Sequence, residues 1–471
     1  MESKEEKQPR KPKLIHSLIV FGILIFCMAI GIIKYDAGVH ISMFIGVCAA
    51  AAMALFLGYK WRFIEEAMRE GILNALQAVI ILMIVGILVG IWILSGVVPT
   101  MIYYGMQLLS PHIFLVASVI ICSITSLATG TSWGAMGTIG LALIGIATGL
   151  GIPTPMAAGA VISGAYFGDK MSPLSDTTNL APAMAGTDIF THIKFMMLPT
   201  GSAYAITLAA FAVLGLQYGQ SGAAVDMSAV AEMNQGITSV FNISPILLLP
   251  PVIVIVLVAC KVPAIPGITI GIFVGAILGF ITQLGINFGD ILVVGMDGYT
   301  CESGIAALDK LLSTGGISNM LFSVSLTLIA MMFGGIMEKT GMLEAVVSKI
   351  LRLAKRPATL VLTTEITCIL CNITMPEQYI SVVVPGRMYA DAYRKMNLHP
   401  KTLSNALESA GTVTSALIPW NTCGVYIYGV LGISAFSYFP YAIFNIITPI
   451  ITAILAFTGI VIAKRDEKTG R

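Results

Sequence analysis

The 471-residue chain is 57% hydrophobic and only 11% charged, with a formal net charge of +2. Soluble domains carry about 25% charged residues, so an ordinary soluble fold is excluded, and the chain has no basic stripe for nucleic acid to bind. Apolar runs such as Ala78–Val89 do not alternate, which excludes a transmembrane β-barrel and leaves an all-α polytopic membrane protein lying in a lipid bilayer.

In chain order, residues 1–13 form a charged tail, and Lys7–Lys13 places it in the cytoplasm by the positive-inside rule. The first apolar segment, 14–33, has no small-residue cleavage signal after it and reads as a retained span. The Lys60 and Arg62 loop is cytoplasmic by the same rule. The first half, 14–216, is interrupted by two polar stretches, Thr129–Gly134 and Gly168–Asn179. Residues 217–244 are rich in Gly, Ser and Ala, carry Asp226 and Glu232 but no Lys or Arg, and read as an external linker. The second half, 245–464, is interrupted at Asn372–Gln378 and Gly411–Thr422. Its basic clusters, Arg352–Arg356 and Arg387–Lys401, and the tail 465–471 are cytoplasmic.

The halves echo one another. Gly71–Leu76 resembles Gly316–Leu321, and Ser172–Leu174 resembles Ser415–Leu417, at nearly constant offset. The same offset sets Gly130–Gly134 against Ile373–Glu377. Loop charges are satisfied if each half makes about five crossings plus one re-entrant hairpin and a broken helix, an odd count that inverts the second half. Two full spans in place of each hairpin satisfy them equally.

The four interruptions carry the chemistry. In hydrocarbon an unsatisfied peptide group costs several kcal/mol, so irregular backbone persists only inside protein or around a water-filled cavity. Pro173 and Pro419 each remove a donor, and the freed carbonyls and half-helix ends become ligands. Asp169, Asp176, Ser172, Ser175, Thr177, Thr178 and Asn179, with Thr129, Thr131 and Ser132, make a candidate Na⁺ and proton site of hard oxygen atoms. Asn372, Thr374, Glu377 and Gln378, with Thr412, Thr414, Ser415, Asn421 and Thr422, make its second-half counterpart. A charge at mid-membrane costs between ~2.5 and roughly 10 kcal/mol, so such groups tend to be functional. An aspartate poised between burial and a neighbouring lysine can hold either a proton or Na⁺, which gives Lys170 a supporting role. Glu408 is a second supporting residue, and Glu365 reads as polar glue inside the bundle.

Other polar features read more plainly. The 8 cysteines lie almost wholly in apolar segments, and the Cys368–Cys371 pair lacks the second pair that a metal centre needs. Asp188, His192 and Lys194 read as a solvated cytoplasmic turn, and Gly271, Gly275 and Gly279 as a stripe for close helix packing. Trp133 and Trp420 flank the breaks and read as packing residues first, with lining the cavity as the alternative. No Walker or dinucleotide motif is present, so no cofactor and no enzymatic turnover are expected.

The stretches Ala128–Gly134, Gly164–Pro182 and Leu417–Gly424 resemble the NhaC family of Na⁺/H⁺ antiporters, within the ion-transporter superfamily. The resemblance covers about residues 14 to 464. It implies a secondary antiporter of a prokaryotic cytoplasmic membrane, with a transport domain moving against a scaffold in an elevator-like alternating-access cycle, and by analogy a homodimer. The family usually reads Gly-Asp-Gln where this chain has Pro376–Glu377–Gln378, so the carboxylate is kept one bond longer. Na⁺/H⁺ exchange is the first expectation. Very similar relatives exchange small carboxylates, such as malate against lactate, with Na⁺ and H⁺ coupling, and this or amino-acid exchange is the alternative. An ion channel ranks lower, because a channel needs a continuous oligomeric pore.

Overall fold

The computed structural model describes residues 9–35, 37–220 and 227–465. Residues 1–8, 221–226 and 466–471, which belong to the tails and linker read above, lie outside the described residues. Among the described residues no strand forms, only an isolated antiparallel bridge between Leu398 and Lys464. Nine helices are long and apolar enough to cross a membrane among these residues, or up to 11 if each of two sharply bent pairs counts as one span. Large apolar side chains such as Ile25, Phe273 and Ile281 are exposed on the outside of the bundle. That surface is stable only against lipid. The protein is therefore a multi-pass helical membrane protein.

Glycine decides where helices approach. Gly164 and Gly168 stand one turn apart on helix Thr154–Met171, and a Cβ at either would overlap the Val119 or Ser123 carbonyl of helix Pro111–Thr129. Gly71 and Gly335 do the same for helix Trp61–Asn74 and helix Gly316–Lys339. Trp61–Asn74 buries Ile64, Ala67 and Gly71 at helical spacing and exposes its charged face, where Glu70 pairs with Lys339. The expected stripe of Gly271, Gly275 and Gly279 packs against Trp92 and Ser95, and the Trp92 Nε1–H donates to the Gly271 carbonyl at 3.0 Å.

Proline and glycine place the breaks. Helix Pro111–Thr129 stops at Gly130, whose φ of 70° is left-handed, and the chain resumes as helix at Ser132. Pro173 holds Ser172 extended (φ −84°, ψ 126°) and ends helix Thr154–Met171. Ser175 then caps helix Asp176–Ala185 by accepting from the Thr178 N–H at 3.4 Å. In the second half Pro376 separates helix Pro357–Thr374 from helix Ile380–Lys395. Ile418, before Pro419, is also extended (φ −99°, ψ 115°). Two π-helical turns, Met136–Gly140 and Glu408–Thr412, lie near these breaks, an irregularity found often at functional sites.

Candidate functional site

The first two breaks meet on one carboxylate. Asp169, in the last turn of helix Thr154–Met171, is buried. Its Oδ2 accepts from the Ser132 N–H at 3.0 Å and the Ser132 hydroxyl at 2.7 Å, and its Oδ1 accepts from the Ser175 hydroxyl at 2.6 Å. The two oxygens differ in kind. The Ser132 amide cannot turn away, so Oδ2 is fixed, whereas the Ser175 hydroxyl can rotate and offer a lone pair instead.

The remaining oxygens of the second break divide between cavity and scaffold. The Thr178 hydroxyl donates to the Asp169 and Lys170 carbonyls, both at 3.1 Å, and Ser172 Oγ to the Leu127 carbonyl at 2.8 Å. Exposed Asn179 donates to the Pro173 and Ser175 carbonyls at 3.0 and 2.7 Å. These three groups satisfy backbone freed by the break and do not face the cavity.

A cavity of about 570 Å³ opens beside Asp169. The first half lines it with Thr129, Thr131 and Ser132 and with Ser175, Asp176 and Thr177. The second half contributes Glu377, Gln378, Tyr379, Thr422 and Tyr426. Asp176 is exposed, and the Tyr379 hydroxyl donates to its Oδ2 at 3.3 Å. Trp133 stacks on Tyr426 with ring centres 4.1 Å apart, and the Tyr426 hydroxyl donates to the Trp133 carbonyl at 2.7 Å. Lys261, exposed and in left-handed backbone (φ 66°), is the one lysine or arginine on the lining.

The second-half candidates form a fastened junction. The Asn372 Nδ2 donates to the Gly411 carbonyl at 2.8 Å and to Thr414 Oγ1 at 3.1 Å. The Asn421 Nδ2 returns to Asn372 Oδ1 at 3.1 Å. Gln378 Nε2 and Ser415 Oγ both donate to the Thr412 carbonyl, at 3.1 and 2.6 Å, and Trp420 Nε1 donates to the Ile373 carbonyl at 2.8 Å. Glu377 is buried and accepts from the Ile380 N–H at 3.0 Å. The Thr374 hydroxyl is buried without a hydrogen bond, and the buried Thr412 hydroxyl lies beside Glu408.

Lys170 departs from the sequence reading in one respect. Its ammonium turns away from Asp169 and donates to Ser409 Oγ at 3.2 Å, on the side of Glu408 and Glu365. Consecutive residues on a helix point about 100° apart, so chain neighbours do not face each other. His192 also differs from expectation: it is buried, with Nδ1 2.8 Å from Ser404 Oγ, because helix Ile189–Gln220 packs on helix Pro400–Leu407. Ser409, to which the Thr452 hydroxyl donates at 3.0 Å, and Tyr379 gave no sequence signal, since each lies outside the four polar interruptions or at their edge.

Broken helices that meet over a buried carboxylate at a cavity, inside a multi-pass bundle, define a membrane transporter. Residues 164–460 match the Na⁺/H⁺ antiporter family. The chain is 38% identical over 453 residues to a malate-2H⁺/Na⁺-lactate antiporter of Bacillus subtilis, covering 96% of each protein. It is 34% identical to the Na⁺/H⁺ antiporter NhaC of Alkalihalophilus pseudofirmus, covering 97% of this chain and 98% of that one. It is 32% identical to the arginine/ornithine antiporter ArcD of Halobacterium salinarum, covering 97% of this chain and 94% of that one. The chain belongs to the Na⁺/H⁺ antiporter family.

Proposed function

We propose that the protein is a secondary antiporter of the cytoplasmic membrane that exchanges Na⁺ for H⁺ by elevator-like alternating access. The observation that carries this reading is Asp169: one buried carboxylate, held by the two first-half breaks and bordering the cavity. In the proposed cycle Na⁺ approaches Asp169 Oδ1 as the Ser175 hydroxyl rotates, with Thr131 and Thr129 as further oxygens and Asp176 attracting the cation at the cavity surface. A proton on Asp169 displaces it. Glu377, Gln378 and Thr422 close the opposite wall, and Asn372, Thr414, Ser415, Asn421 and the Thr412 carbonyl hold the second broken helix in place. No cofactor takes part.

The same reading takes residues 14–216 and 245–464 as inverted halves with both termini cytoplasmic, and the molecule as a homodimer. Lys261 lies at the cavity in the loop before helix Ala264–Thr282, a basic loop that the positive-inside rule puts on the cytoplasmic side. The cavity then faces the cytoplasm.

A second reading, exchange of small carboxylates or amino acids coupled to Na⁺ and H⁺, is favoured by Lys261, a cation suited to an organic anion at the cavity surface. The names of the Bacillus malate/lactate and Halobacterium arginine/ornithine relatives agree with it. Proteoliposomes with a trapped pH dye decide between them. Na⁺-driven proton flux without organic solutes supports the first reading. Flux that requires malate, lactate or an amino acid refutes it in favour of the second.

A further inference from the structure

Asp169 does not stand alone. Four oxygens form a continuous buried chain from the cavity into the second half. Asp169 Oδ1 meets Ser175 Oγ at 2.6 Å, Ser175 Oγ meets Thr177 Oγ1 at 3.1 Å, and Thr177 Oγ1 meets Glu408 Oε1 at 3.1 Å. Glu408 is fully buried, is not on the cavity lining, and opens the π-helical turn Glu408–Thr412. Thr177 Oγ1 meets its Oε1 at hydrogen-bond distance, and the Thr412 hydroxyl and the Lys170 ammonium lie beside the same carboxyl.

Three oxygen–oxygen contacts need three hydrogens, and the two hydroxyls supply one each. Ionised carboxylates supply none. With both ends ionised, Ser175 donates to Asp169 and Thr177 to Glu408, and the contact between the hydroxyls is left with facing lone pairs. One added proton fills all three contacts, and it does so in two ways. Either Asp169 is the acid and every bond points toward Glu408, or Glu408 is the acid and every bond points toward Asp169.

We infer that Asp169 and Glu408 share a single exchangeable proton through Ser175 and Thr177, and that this shared proton is the one that competes with Na⁺. The inference rests on the Na⁺/H⁺ reading above and adds Glu408 as the second seat of the proton. The transfer is balanced. Asp169 Oδ1 gives its proton to Ser175, Ser175 gives its own to Thr177, and Thr177 gives its own to Glu408 Oε1. Asp169 becomes a carboxylate and Glu408 a neutral acid. The proton affinity then belongs to the pair and not to either residue. The titratable groups facing the chain are Lys170 and Cys368 beside Glu408, and Asp176 and Tyr379 beside Asp169, with Glu365 and His192 beyond Lys170.

The test is Na⁺ binding by the purified full-length protein across a pH series. Wild type sets the pH at which protons halve Na⁺ binding. Thr177→Val keeps the shape and removes the relay hydroxyl. The protonated state loses a hydrogen bond worth about 1 kcal/mol, so Na⁺ outcompetes protons at about fivefold to tenfold higher proton concentration. The midpoint moves toward acid by roughly 1 pH unit. Thr177→Ser returns it to the wild-type value. Glu408→Gln also shifts it toward acid, because the amide NH₂ can donate to Thr177 and fill all three contacts with Asp169 ionised, and the double variant shifts no further than Thr177→Val, because both changes act through one chain. Should Thr177→Val fail to fold, Glu408→Gln carries the same readout. A wild-type midpoint in folded Thr177→Val or Glu408→Gln, or fully additive shifts in the double variant, overturns the shared proton. Wild-type Na⁺ binding that ignores pH overturns the exchange reading itself, which is a separate result.

Discussion

Replacing Asp169 with asparagine separates the charge of this residue from its shape. The amide oxygen can take the two Ser132 donors, and the new NH₂ faces Ser175 Oγ, which can accept. No buried group is stranded, so the fold loses only charge assistance, about 1 kcal/mol per bond. The cation loses far more. A unit charge about 4 Å away is worth about 4 kcal/mol at an effective dielectric of about 20, on the order of 1,000-fold in Na⁺ affinity. The residue also loses its exchangeable proton, so Asp169→Asn should show no Na⁺-dependent proton flux above empty liposomes. The assay is a Na⁺ pulse on proteoliposomes with an internal pH dye, beside a size-exclusion profile that establishes folding. Coupled flux within a few-fold of wild type in a monodisperse Asp169→Asn protein would refute the role given to this carboxylate.

Other positions give further expectations. Asn372→Ala removes the bonds from its amide to the Gly411 carbonyl and Thr414 Oγ1 and the Asn421 contact to its Oδ1, while Ser381 still serves the Gly411 carbonyl and the backbone carbonyl of residue 372 still accepts from Asn421, so the cost is about 1 kcal/mol per lost bond. Its melting temperature should fall, and Asn372→Ala with Asn421→Ala should cost less than the two separately. Gly168→Ala drives a methyl into the Ser123 carbonyl, an overpacking cost of about 1–3 kcal/mol. It should lower thermal stability and Na⁺ affinity together, because Asp169 is the next residue; unchanged values for both would show that the crossing is looser than described. Lys261→Gln tests the second reading. If malate or lactate enters the cavity, its half-saturating concentration should rise about fivefold, the scale of an exposed ion pair, and an unchanged value removes Lys261 from that role.

Much of this protein is legible along the chain. Composition alone sets a helical membrane protein, because only satisfied backbone survives in hydrocarbon. Pro173, Pro376, Pro419 and Gly130 fix where helices must stop, since a proline lacks a donor and the left-handed φ of 70° favours glycine. Family membership was also readable from the stretch around Gly168–Asn179. What the chain could not say is which polar groups face one another. Asp169 and Lys170 are neighbours in sequence, yet one meets Ser132 and the other meets Ser409. Glu408 lies far away in the chain and reaches Asp169 through two hydroxyls. Local sequence dictates where a helix breaks. Tertiary packing of several helices, each rotated about its own axis, decides which broken ends and side chains share a space.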